Sequence, residues 1–120
     1  MKPNRKGYIG SSKWSFLEEL FEKQISKYRL PEPTRFYNFH GWEIDYAWTV
    51  LLVGVEIQGG TYLKKGAHVY GKGFKRDCMK RNKAQLEGWI LLTADKDMVQ
   101  SHEFMNDVKK ALTIRLKCLR

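Results

Sequence analysis

The chain reads as an α/β protein, a sheet flanked by helices in the order α-β-β-β-α-β-α. Three observations predict this class. Two runs with strand character, Thr34 to Phe39 and Trp42 to Trp48, meet at His40-Gly41, a pair suited to a tight reversal. A third run, Val50 to Ile57, is almost continuously apolar, as expected of a strand covered on both faces. Stretches with helical periodicity precede these strands, follow them and close the chain.

Taken in order, residues 1–12 read as a flexible basic arm and 13–120 as a single domain. A helix from about 15 to 29 is ended by Leu30-Pro31-Glu32-Pro33, because a proline disfavours helical backbone in the residue before it. Trp14, Leu17, Phe21, Ile25 and Tyr28 share one face of it, with Glu18 at the margin and Glu19 turned away. In the second strand Trp42, Ile44, Tyr46 and Trp48 fall on one face and Glu43, Asp45 and Ala47 on the other. Gly59 to Gly73 is a loop too long for a simple turn. A helix from about Phe74 to Glu87 follows, with Gly88 placed as its stop. Trp89 to Thr93 is a short buried strand. A last helix, roughly 98 to 118, aligns Phe104, Val108, Ala111, Leu112, Arg115 and Leu119.

Charge narrows the function. Twenty-two Lys and Arg stand against 13 Asp and Glu, a formal net charge of +9 on 120 residues. Such a small basic domain attracts polyanions, nucleic acid foremost. No apolar run approaches the ~20 residues of a membrane span, and no apolar signal region follows the basic N-terminus. Two cysteines are too few for a disulfide scaffold, and three histidines without paired cysteine spacing argue against zinc. The expectation is a reduced, cytoplasmic protein.

Acids inside strands are the chemical signal. Asp45 in one strand and Glu56 at the end of a buried neighbour are expensive unless paired or metal-bound. If the two strands form a hairpin through Thr49, the carboxylates lie side by side on one sheet face. With a backbone carbonyl such as that of Ile57 they make an oxygen-rich site suited to Mg²⁺. Such an ion activates water and stabilises the charge of phosphodiester hydrolysis.

The segment Phe39-His40-Gly41-Trp42-Glu43-Ile44-Asp45-Tyr46-Ala47-Trp48 resembles the one carrying the first metal-binding Asp of the PD-(D/E)XK nucleases. Val53-Gly54-Val55-Glu56-Ile57-Gln58-Gly59-Gly60 resembles the second half-motif. Asp77, Lys80 and Asn82, then Gly88-Trp89-Ile90-Leu91-Leu92, resemble the later helix-and-strand block of small phage-type and very-short-patch-repair-like members. The resemblance spans roughly residues 14 to 95. It implies a restriction-endonuclease-like αβββαβ core with an extra C-terminal helix, and Mg²⁺-dependent cleavage of nucleic acid, with Mn²⁺ able to substitute. The expected substrate is DNA, branched or structured DNA of phage recombination and repair included, with RNA as the other possibility.

By the same resemblance Asp45, Glu56 and the Ile57 carbonyl hold the metal, Gln58 positions water, and Glu18 supports the site from its helix. Gln58 departs from the pattern, since the family carries a Lys there. Lys80 or Lys75 is the substitute from the neighbouring helix. On a helical wheel Lys75 and Asn82 lie nearer the Phe74/Cys78/Trp89 face and Lys80 further round. Lys64, Lys65, His68 and Lys72, interleaved with Tyr62 and Tyr70, suit a clamp on a phosphate backbone, continued by Lys75 and Arg76. A homodimer would place one site on each strand.

Competing explanations stand beside these roles. Ser15 and Glu18 form the S-x-x-E of a helix capping box. Asp45 and Glu56 also suit solvated strand ends, and Asn82 a backbone-satisfying amide. A non-catalytic nucleic-acid-binding module on the same fold is the alternative function, which Gln58 encourages.

Overall fold

The computed structural model describes residues 16–58 and 72–119. The expected arm at 1–12, the possible cap at Ser15, and Lys64, Lys65 and His68 of the expected clamp lie outside them. Helix α1 spans Phe16–Lys27 and buries Leu17, Phe21 and Ile25, as the periodicity requires. The same helix also buries Glu18 and Gln24. Strands β1 (Thr34–Phe39) and β2 (Trp42–Trp48) form a hairpin whose turn, His40-Gly41, has positive φ at both residues. That geometry matches the right-handed twist of paired strands, and the Gly41 amide donates to the Asn38 side chain at 2.8 Å.

β3 covers Val53–Ile57, shorter than the apolar run starting at Val50. The first part of that run is the β2–β3 reversal, closed by Leu51 N–H to Trp48 O at 3.1 Å and by Leu52 at φ 57°. An antiparallel partner needs a turn, and hydropathy alone does not separate a buried turn from a buried strand. After the crossover, α2 runs Lys72–Leu86 and β4 Ile90–Ala94. Gly88, at φ 90°, ends α2 in a Schellman arrangement: its N–H reaches Gln85 O at 3.0 Å and Trp89 N–H reaches Ala84 O at 2.9 Å.

The expected last helix is two helices, α3 (Lys96–Gln100) and α4 (Glu103–Cys118). Asp95 caps α3 by accepting the Met98 amide, and His102 at φ 69° breaks the path before α4. Phe104, Val108, Ala111 and Leu112 are buried as expected; Leu119 is exposed at the C-cap, one residue past the end of α4. Arg115 ties α4 to the carbonyl of Gly88.

The four strands lie in the order β1-β2-β3-β4, antiparallel except for the β3–β4 pair. This is an α/β architecture with a four-stranded mixed sheet flanked by helices. On one side α1, α3 and α4 pack on Tyr46, Trp48, Val53, Val55 and Ala94. On the other, Phe39, Ile44, Ala47, Trp89 and Leu91 form a smaller apolar layer that receives only Ala84 from α2. Among the described residues no helix is long and apolar enough to cross a membrane.

The alternation expected along β2 fails in its middle. Trp42 and Ile44 pack on the α2 side with Ala47, while Tyr46 and Trp48 pack against α1 and α4. The register is continuous on either side, with Arg35 opposite Tyr46 and Tyr37 opposite Ile44. Between these pairs Phe36 adopts φ 54°. A left-handed residue inside a strand is an outlier for a bulky side chain, and here it marks where the two faces exchange.

Candidate functional site

Strands β2 and β3 pair through Trp48↔Val53, Ala47↔Gly54 and Tyr46↔Val55, and the ladder then stops. The next residues on the two strands are Asp45 and Glu56, so the hairpin expected through Thr49 sets the two acids opposite each other where the backbones part. There the Asp45 carboxylate replaces a strand acceptor, taking the Ile57 amide N–H at 2.9 Å. Glu56 is only 4% exposed and faces α2.

Helix α2 inverts the usual distribution of polarity. Phe74, Met79 and Leu86 are exposed, whereas Lys80 is 9% exposed. The Lys80 ammonium pairs with Glu56 Oε2 and donates to the Glu43 carbonyl at 3.0 Å. Lys75 and Asn82, which the helical wheel placed toward the sheet, are exposed instead. Phe74 and Cys78 do not seat the helix; Ala84 does, together with the attraction of Glu56 for Lys80 one turn earlier. Asn82 therefore has no buried backbone to satisfy. Burying a lysine while leaving Leu86 in water contradicts local preference, and such conflicts concentrate at functional sites.

Arg81 completes the cluster. Its guanidinium donates to Thr93 Oγ1 at 2.6 Å and to Asp77 Oδ2 at 3.0 Å, and its Nη2 stands 3.6 Å from Glu56 Oε1. Thr93 is the β4 partner of Glu56 in the parallel register. Asp77 also lies 3.8 Å from the Lys80 ammonium. Neither Thr93 nor the role of Asp77 emerges from periodicity. The legible trace is Asp77 itself, the sole acid of α2, set three and four residues before Lys80 and Arg81.

On the opposite sheet face, Glu18 is buried in α1 and its backbone carbonyl accepts the Tyr46 hydroxyl at 3.4 Å. Burial pushes the Tyr46 hydroxyl well above its ordinary 10, and Glu22, then Glu18 and Asp45, push the same way. The tyrosine therefore stays a neutral O–H donor between α1 and the strand that carries Asp45. Glu22 in turn forms a two-pronged pair with Arg35 of β1, at 2.7 and 2.8 Å. That hydrogen bonding, foremost among the causes, pushes the guanidinium pKa up from its already high ordinary value. Gln58 sits just past β3, half-buried, with its backbone amide on Ala94 O at 2.8 Å. Arg76 is exposed on the first turns of α2, and Lys72 begins that helix.

Among the described residues no three His, Cys, Asp or Glu side chains gather closely enough to enclose an ion. Mg²⁺ needs only one or two carboxylates, since it keeps several waters. Glu56 Oε1 is buried and accepts no hydrogen bond, with Arg81 Nη2 3.6 Å away, and Asp45 lies one residue beyond the last β2–β3 pair. No family model, no curated protein and no solved structure matches this chain.

Proposed function

We propose that the protein is a metal-dependent endonuclease on a restriction-endonuclease-like core, hydrolysing phosphodiesters of DNA. One observation carries the reading: Asp45 and a buried Glu56 are the next residues past the last β2–β3 pair, where the strands part, and the Lys80 ammonium reaches Glu56 from the adjoining helix. Asp45, Glu56 and the Ile57 carbonyl would hold Mg²⁺, or Mn²⁺ in its place. Bound there, the ion supplies charge for the pentacovalent phosphorane and lowers the pKa of a water.

The chain's own groups do the rest. Lys80 brings to the site the positive charge that Gln58 lacks, leaving the Gln58 amide to orient water. Arg81, braced by Asp77 and Thr93, offers a second cation whose direction is set before substrate arrives. Glu18 lies on the other face of the sheet, where its backbone carbonyl takes the Tyr46 hydroxyl, and its carboxylate is assigned no step in the reaction. Exposed Lys75 and Arg76 take the backbone phosphates, with Lys72 at the start of α2 and Lys64, Lys65 and His68 before it. Two copies would cut both strands.

A second reading has its own support, because Glu56 and Asp77 are matched by Lys80 and Arg81. A cluster that neutralises itself suits a nucleic-acid-binding module without catalysis. Labelled linear, nicked, flapped and four-way-junction DNAs, incubated with Mg²⁺, Mn²⁺ or EDTA beside Glu56→Ala, separate the two. Metal-dependent products missing from the variant are expected. Binding without cleavage in either metal refutes the enzyme in favour of the module, and absence of salt-dependent binding refutes both.

A further inference from the structure

α2 and the β1–β2 turn flank an open, shallow surface groove lined by His40, Trp42, Met79, Asn82, Lys83 and Leu86. Its walls are apolar: Leu86 is 88% and Met79 49% exposed, beside a half-buried Trp42. The Trp42 ring is stacked on Phe39 at 6.4 Å, and Phe39 meets Trp89 edge-on at 5.7 Å, so its indole is held by the core. Glu87 restrains one end of the groove, pairing with His40 at 2.9 Å and Lys83 at 3.6 Å.

Helical spacing puts Lys75, Met79, Asn82, Lys83 and Leu86 on one stripe of α2, with exposed Arg76 beside its start. Along that stripe cations alternate with apolar surface and one amide. A ligand matching that order alternates anionic groups with flat apolar ones that also hydrogen-bond, which is a nucleic-acid strand with a base turned out. The charge of the chain, +9, favours the same partner.

We propose that this groove receives an unpaired nucleobase, stacked on Trp42 and hydrogen-bonded by Asn82, while Lys75, Arg76 and Lys83 hold the flanking phosphates. The inference rests on the nucleic-acid reading above and adds to it a preference for DNA with an unpaired base. Stacking on an aromatic side chain is worth about ten- to a hundredfold in affinity per base.

The test uses two duplexes carrying 2-aminopurine, one with the probe in a single-base bulge and one with it paired, titrated with the full chain without divalent metal. The bulged probe is expected to bind more tightly and to lose fluorescence. Trp42→Ala, and separately Leu86→Ala at a site too exposed to disturb folding, are expected to weaken bulged-duplex binding about tenfold and leave the paired duplex unchanged. Equal affinity for both duplexes, or equal losses on both, overturns the groove proposal while leaving the nucleic-acid reading standing. Binding to neither duplex overturns both. Self-association in sedimentation that Leu86→Asp abolishes gives the groove to a second copy and also overturns the proposal.

Discussion

Replacing Lys80 with Met probes the Glu56 pairing on which the site is built. The side chains of Lys80 and Glu56 are 11% and 5% exposed, so this is a buried pair rather than a screened surface contact. Removing one member of such a pair costs about 3–5 kcal/mol, chiefly because the other charge is stranded. Arg81, 3.6 Å from the second Glu56 oxygen, remains as a partial partner and sets the expectation at the low end, about 3 kcal/mol. In a domain of this size that lowers Tm by roughly 12 °C. Urea unfolding followed by far-UV circular dichroism gives the free energy directly. Glu56→Gln alone should cost less, because the Lys80 ammonium still has Asp77 within 3.8 Å and a flexible stem. The double variant should recover to within about 1 kcal/mol of the parent, a coupling well outside additivity. A Lys80→Met loss below about 0.5 kcal/mol, or additive single effects, would refute the view that Glu56 depends on Lys80.

Two further outcomes follow from the packing and the charges. Gly54→Ala would place a Cβ 2.9 Å from Leu91 Cδ1 and 3.1 Å from Ile44 Cγ2, under a layer shared with Trp89. Overpacking of this kind costs about 1–3 kcal/mol, measurable by urea unfolding, and a neutral variant would mean the Leu91–Ile44 contact gives way freely. Glu87 titrates below its ordinary 4.5, first because His40 hydrogen-bonds its charged form. With the folded value lowered, its stabilising contribution is present above 4.5 and disappears as the pH falls through the folded value. The carboxyl carbon shift of Glu87, followed by NMR, should show a midpoint below 4.5 that moves back up in His40→Ala; an unmoved midpoint would remove His40 as the cause.

Much of the fold is local chemistry and was legible in the chain. His40-Gly41 demanded a two-residue reversal, Gly88 a helix stop, and the leucine, phenylalanine and isoleucine spacing of α1 a buried face; each depends on neighbours within about one turn. The candidate acids were legible for the same reason, since Asp45 and Glu56 interrupt apolar strands whatever surrounds them. Where local and distant demands compete, the sequence was silent. His102 reads as a helix-start residue and is the N-cap of α4, but the short α3 before it, opened by Asp95 and closed at Ser101, merges with α4 in the periodicity. The exchange of faces along β2 comes where Phe36 of the neighbouring strand takes a positive φ, and strict alternation does not announce it.

The sequence by itself determined that a basic α/β chain would carry two strand-borne acids. Tertiary structure decided which cation meets them. Lys75 and Lys80 are the same residue five positions apart on one helix, and intrinsic preference does not distinguish them. Ala84 seats α2 closely on the Ile44–Trp89 layer, and in that orientation Lys80 reaches Glu56 while Lys75 points to water. The same rotation turns Met79 and Leu86 outward beside Trp42. A helix is amphipathic only relative to what it packs against, so the buried ion pair and the exposed apolar groove both come from one docking angle.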